Sequence, residues 1–119
     1  MQYYQKLLAL LAQYFSDNNW KKLFMTGGCY WLADTLHNGI GGSIIMVNRI
    51  EEHCALYFAR GLYDIRGRIP QKDFHAAKER ELSFMKKNYV PAFDTKRLEQ
   101  YLALTLPGAQ QTGTFGPEG

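Results

Sequence analysis

Little in this sequence is extreme, and several scarcities narrow what it can be. There are only two cysteines, Cys29 and Cys54, so no disulfide framework of the kind that holds small secreted domains together can form. Cys29 opens a helix-like segment and Cys54 sits inside a strand-like run, which leads us to expect two free thiols in a reducing compartment, the cytoplasm. Neither cysteine belongs to a C-x-x-C pair. A metal site built from Cys29, His53, Cys54 and Asp64 would therefore lack a paired-ligand motif, and no metal or cofactor is expected. The charge imbalance is also small, 14 basic against 11 acidic residues, for a net +3. The basic residues fall in scattered pairs such as Lys21-Lys22 and Lys86-Lys87, a pattern that favours solubility and argues against a nucleic-acid-binding stripe. No apolar run reaches the roughly 18 residues a membrane span needs. The leucines of Met1 to Phe15 are interrupted by Gln2, Gln5, Lys6 and Gln13, and no small-residue cleavage site follows, so this stretch reads as a helix and no membrane partner is expected. No internal repeat is visible.

What the sequence does contain is enough for one core. Its 119 residues suit a single domain, and the aromatic share of 14% favours a well-packed interior or an aromatic-lined cleft. Tyr4, Leu7, Leu8, Leu11 and Phe15 recur at helical spacing, and Ser16 to Asn19 end that helix. Cys29, Leu32, Ala33 and Leu36 mark a second helix over about residues 28–38, closed by Asn38-Gly39 and Gly41-Gly42. Strand patterns follow over 43–48, 53–58 and 62–69, with a tight turn around Ala59, Arg60 and Gly61, and Pro70 marks the exit. A third helix is expected from a cap at Asp73 to about Lys87, carrying His75 on a solvated face, and a fourth after Asp94. This pattern gives an α+β domain over residues 1–106, its helices packed on a small antiparallel sheet, and a flexible tail over 107–119.

Three residues could combine chemically. Cys29 follows Gly27-Gly28 at a helix start, where unpaired N–H groups favour a thiolate, where glycines would leave the sulfur approachable, and where its own N–H could serve an oxyanion hole. His53 opens a strand, a position from which a general base could reach that helix. If the hairpin turns at Ala59-Arg60 with Phe58 facing Gly61, Asp64 falls opposite Ala55. It then becomes a diagonal neighbour of His53, roughly 7 Å away at Cβ. A one-residue slip would put the two on opposite faces. The competing assignment for Asp64 is a salt bridge to Arg66 or Arg68. Cys54 is expected on the face opposite His53, buried and inert. His37 is expected to act on the C-terminal end of its helix.

The motifs GGCYWLADTL and HCALYFARGLYDIRG, in the order Cys29, His53, Asp64, resemble the papain-like superfamily, which includes NlpC/P60 and transglutaminase-like domains. That resemblance implies a papain-like core with the cysteine at a helix N-terminus. It also implies a cysteine hydrolase or acyltransferase in which Cys29 is the nucleophile, His53 the base and Asp64 the orienting acid. The substrate would be a peptide, a protein or a small acyl compound, attacked through a thioester. Gly28, Thr26, Tyr30 and Trp31 would then line the cleft or oxyanion hole. No clear glutamine precedes Cys29, leaving Thr26 or Asn19 to stand in. The alternative is a non-catalytic interaction or inhibitor protein, of the type encoded by phages or mobile elements, that binds a larger protein partner on such a scaffold.

Overall fold

The computed structural model describes residues 1–106. Its first helix, α1 (Gln2–Tyr14), buries Tyr4, Leu7 and Leu11, the three- and four-residue spacing that lines one helical face. A short 3-10 helix (Trp20–Phe24) leads to α2 (Gly28–Gly39), which buries Cys29, Leu32, Ala33 and Leu36. Strands β1 (Ile44–Asn48), β2 (His53–Phe58), β3 (Gly61–Asp64), β4 (Gly67–Ile69) and β5 (His75–Ala76) form an antiparallel sheet in the order β4-β3-β2-β1-β5. Helices α3 (Glu79–Asn88) and α4 (Thr95–Thr105) complete the described residues. The architecture is thus α+β, with four α-helices and a five-stranded sheet among the described residues, where no helix is long and apolar enough to cross a membrane.

Period-two alternation divides the sheet. Ile45, Val47, Cys54, Leu56, Phe58 and Tyr63 face the helices and join the main core, whereas Ala55, Leu62 and Ile69 form a smaller cluster with Met46, Tyr57 and Phe74 on the other face. The β2–β3 register pairs Leu56 with Tyr63, Tyr57 with Leu62 and Phe58 with Gly61. Ala59 and Arg60 make the two-residue turn between them, both with positive φ (50° and 61°) although neither is glycine or asparagine.

Two expected boundaries are corrected. The stretch expected as one strand over 62–69 is two strands, because the chain reverses at Ile65-Arg66 and Gly67 takes a φ of 104° that only glycine adopts freely. The third helix starts at Glu79, not at Asp73. Asp73 instead lies in a left-handed turn, after which His75–Ala76 pair with β1. The final helix opens as expected, with the Asp94 carboxylate accepting the Arg97 N–H at 3.1 Å. The expected flexible tail lies outside the described residues.

Candidate functional site

The hairpin register carries Asp64 to the position opposite Ala55, on the face shared by His53, and the two side chains meet. His53 Nε2 lies 2.8 Å from Asp64 Oδ2, and both residues are about 3% exposed. Asp64 is held from a second side as well. Its carboxylate accepts the Arg66 backbone N–H at 2.8 Å and the Arg66 guanidinium at 2.7 Å, so the expected salt bridge to Arg66 and the bond to His53 coexist. Its main-chain oxygen accepts the Tyr4 hydroxyl. Burial alone would raise the Asp64 pKa, but the His53 and Arg66 hydrogen bonds outweigh it and hold the carboxyl below its usual range.

Cys29 lies in the first turn of α2, fully buried, with its sulfur 3.6 Å from the Cys54 sulfur. Hydrogen bonding from the Cys54 thiol is the largest influence on it. Together with His53 this overcomes burial and lowers the Cys29 pKa to about 5. Burial would lower His53, but its bond to Asp64 and the adjacent Cys29 thiolate push it up to about 9. Cys54 moves the other way, well above the ordinary thiol value, because it donates to Cys29 and is buried. At neutral pH the favoured state is a Cys29 thiolate beside a His53 imidazolium backed by a carboxylate. With Nε2 committed to Asp64, His53 Nδ1 is left as a buried nitrogen without a hydrogen-bond partner.

This arrangement is closed. The space lined by Cys29, Cys54, Phe24, Leu32, Tyr63 and Asp64 has no room for a water molecule. The two glycines explain the closure, and they correct the expectation that they leave the sulfur approachable. A Cβ on Gly27 would sit 2.0 Å from the Val90 carbonyl oxygen, and one on Gly28 would sit 2.3 Å from the Leu23 carbonyl oxygen. Here glycine admits the protein's own backbone over the start of α2. The Cys29 N–H, expected to serve an oxyanion hole, instead donates to the Thr26 carbonyl at 3.3 Å, and the exposed Thr26 hydroxyl lies 3.4 Å from the Lys22 carbonyl. Trp31 is a core residue. It packs on Phe24 and Phe93 and donates its indole N–H to Glu99 at 2.9 Å, while Tyr30 is half-buried against the same core. His37 bonds to Ser43 Oγ at 2.9 Å, tying the end of α2 to the chain entering β1.

Three features escaped sequence reading. Cys54 is buried as expected but touches Cys29; the signal was its membership, with Leu56 and Phe58, of the strand face that meets α2. His75 bonds to the buried Glu81 at 3.0 Å, and Glu81 also accepts Arg49 at 3.2 Å and the Lys78 backbone N–H at 2.9 Å. These contacts, led by the Lys78 bond, lower the Glu81 pKa to about 2. The third is a groove of about 590 Å³ between the β1–β2 turn and α3, lined by Val47, Arg49, Glu52, Arg80, Phe84 and Tyr89 among others. Phe84 in its wall is 60% exposed, and Ile50 (77%) and Val90 (68%), each next in sequence to a lining residue, stand in solvent as well.

No curated protein and no solved structure matches this chain. The kinship with papain-like, NlpC/P60 or transglutaminase-like enzymes expected from the two motifs is overturned, since none of those families is what the chain matches. The Cys-His-Asp order is short enough to arise on a helix and hairpin of another lineage. The family model that does match spans residues 7–103, nearly all of the described fold, and the chain belongs to the Phage YunG-like protein family.

Proposed function

We propose that this is a phage-type, non-catalytic binding protein that seats an apolar segment of a larger protein in the groove between the β1–β2 turn and α3, acting in the reducing cytoplasm. The observation that carries this reading is an exposed Phe84 in the wall of the groove, with Ile50 and Val90 exposed next in sequence to the lining residues Arg49 and Tyr89, in a protein whose thiol site admits not even water. Isolated exposed apolar residues are ordinary, but a cluster flanking a concavity is the usual mark of a protein contact. Arg49, Arg80 and Glu52 supply a polar rim that would fix the register of the bound segment. The test is cross-linking in host extract. Wild type and Cys29→Ala should capture the same partner, and Phe84→Glu and Ile50→Asp should lose it. A partner that Phe84→Glu retains at wild-type yield would refute the assignment of the groove.

A second reading is favoured by the lowered Cys29 pKa: acyl transfer through a Cys29 thioester, with His53 moving the proton and Asp64 orienting the ring. It requires the cover over α2 to open. It predicts iodoacetamide labelling of Cys29 much faster than of Cys54, with a pH midpoint near 5 that rises in His53→Ala. Equal rates at the two cysteines would exclude it.

A further inference from the structure

Neither functional reading gives Cys54 a role, yet its sulfur lies 3.6 Å from that of Cys29. We propose that Cys29 and Cys54 form a redox-active dithiol that closes to an intramolecular disulfide when the protein meets a hydroperoxide, with Cys29 as the sulfur that reacts first and Cys54 as the one that resolves it. Three observations carry this. The sulfurs lie 3.6 Å apart on two elements, the first turn of α2 and strand β2, which are already packed together. A disulfide bond of about 2.05 Å needs the sulfurs to approach by roughly 1.5 Å, within reach of side-chain rotation and a small shift of the helix start. His53, whose buried Nδ1 has no hydrogen-bond partner and whose charge acts on Cys29, provides a proton site.

The two thiols also differ in the sense the chemistry needs. Cys29 is held as the thiolate by the Cys54 hydrogen bond and His53, while Cys54 keeps its proton. In the first step the Cys29 thiolate attacks one peroxide oxygen. The O–O bond breaks, Cys29 becomes a sulfenic acid, and the departing alkoxide or hydroxide takes the proton held at His53 and leaves as alcohol or water. In the second step the Cys54 sulfur attacks the Cys29 sulfur, the S–O bond breaks, and the hydroxyl group leaves with the Cys54 proton as water. Together the two thiols lose two electrons and two protons and the peroxide gains them. The space around the sulfurs has no room for water, and Val90 packs on Gly27 at the start of the same helix, so peroxide must wait for this cover to open. Tyr89 is next to this cover; it is a wall of the groove, and its phenol pKa is raised first by burial and then by the charges at Cys29 and Cys54. This proposal does not depend on the binding reading.

The experiment treats the folded 119-residue chain with hydrogen peroxide at pH 7, quenches free thiols, and maps peptides without reductant. The expected result is a linked Cys29–Cys54 peptide that disappears on phosphine treatment. In Cys54→Ser the expected product is a Cys29 sulfenic acid trapped by dimedone, and in His53→Gln closure should slow at least tenfold. A wild-type protein that accumulates Cys29 sulfinic acid with Cys54 still a free thiol would overturn the proposal. So would one whose two thiols both survive peroxide that oxidises the urea-unfolded chain. Both decisive outcomes are read on wild type, so a variant that misfolds leaves the test intact.

Discussion

Replacing Asp64 with asparagine tests whether the buried carboxylate sets the charge state of the whole cluster. The substitution keeps the shape and one acceptor oxygen but removes the charge facing His53 Nε2 at 2.8 Å and Arg66 at 2.7 Å. Removing one partner of a buried charge pair costs about 3–5 kcal/mol. The guanidinium of Arg66 is half exposed, so losing its ion pair contributes at most about 1 kcal/mol. The retained amide oxygen can still accept the Arg66 backbone N–H, which returns part of the loss. A net destabilisation of about 2–3 kcal/mol follows. The larger consequence is electrostatic. With a pKa of about 9, His53 is about 99% protonated at pH 7. Burial opposes that charge, so without Asp64 the ring should be mostly neutral, and the Cys29 thiolate loses its adjacent cation. Urea unfolding measures the first effect, and the pH dependence of the His53 ring proton resonances measures the second. A variant that loses less than about 0.5 kcal/mol while His53 still titrates near 9 would refute the reasoning.

Three other perturbations have equally definite outcomes. Gly27→Ala places a methyl 2.0 Å from the Val90 carbonyl oxygen, a backbone atom, and should cost more than about 2 kcal/mol in thermal or urea unfolding; Gly41→Ala, with nothing within 4 Å, should be near neutral. Arg60→Gly should stabilise the protein by about 1 kcal/mol, because Arg60 pays for a left-handed φ of 61° that glycine adopts freely, and an unchanged urea midpoint would contradict this. Stability should rise with pH between about 5 and 6.5, since there the unfolded chain holds protons on both Cys29 and His53 while the folded pair holds only the one on His53. From 6.5 to about 9 both states hold one proton and the dependence should be flat, whereas below 3.8 the lowered Asp64 pKa makes stability fall further with acid. Unfolding free energies across that range check the sign.

The parts of this fold that were legible in the sequence are those set by short-range rules. Helical spacing in Tyr4, Leu7 and Leu11 and the Asp94 cap are local, and so is the hairpin, where one turn position fixes every later pair including His53 with Asp64. What was not legible depends on segments far apart in the chain. Nothing near Gly27 says that Val90, more than sixty residues later, will occupy the space its missing side chain leaves, so the same Gly-Gly that suggests an accessible sulfur serves to bury it. His75 was misplaced because the segment after Asp73 has enough apolar residues for a helix; pairing of His75 and Ala76 with β1 and the bond to Glu81 override that preference.

The lowered Cys29 pKa and the closed site are separable quantities, and separating them decides among the functional readings. Thiol labelling of a buried group proceeds through opening, so its plateau rate is the intrinsic rate multiplied by the fraction of time the cover is open, a factor of ten lost for each 1.4 kcal/mol of opening free energy. When opening is fast and preserves the Cys29–Cys54 hydrogen bond and the charge on His53, the pH midpoint of labelling reports the thiolate, whereas the plateau reports the cover. Gly27→Ala weakens the contact with Val90 without touching Cys29, His53 or Asp64, so it should raise the plateau and leave the midpoint near 5. Asp64→Asn should do the reverse at Cys29, moving the midpoint upward more than it changes the plateau. A protein that acts only through its groove needs neither quantity tuned, and Cys29→Ala should leave its partner binding intact. One that acts through its thiol needs both, and there the cover over α2 becomes the element a partner must move.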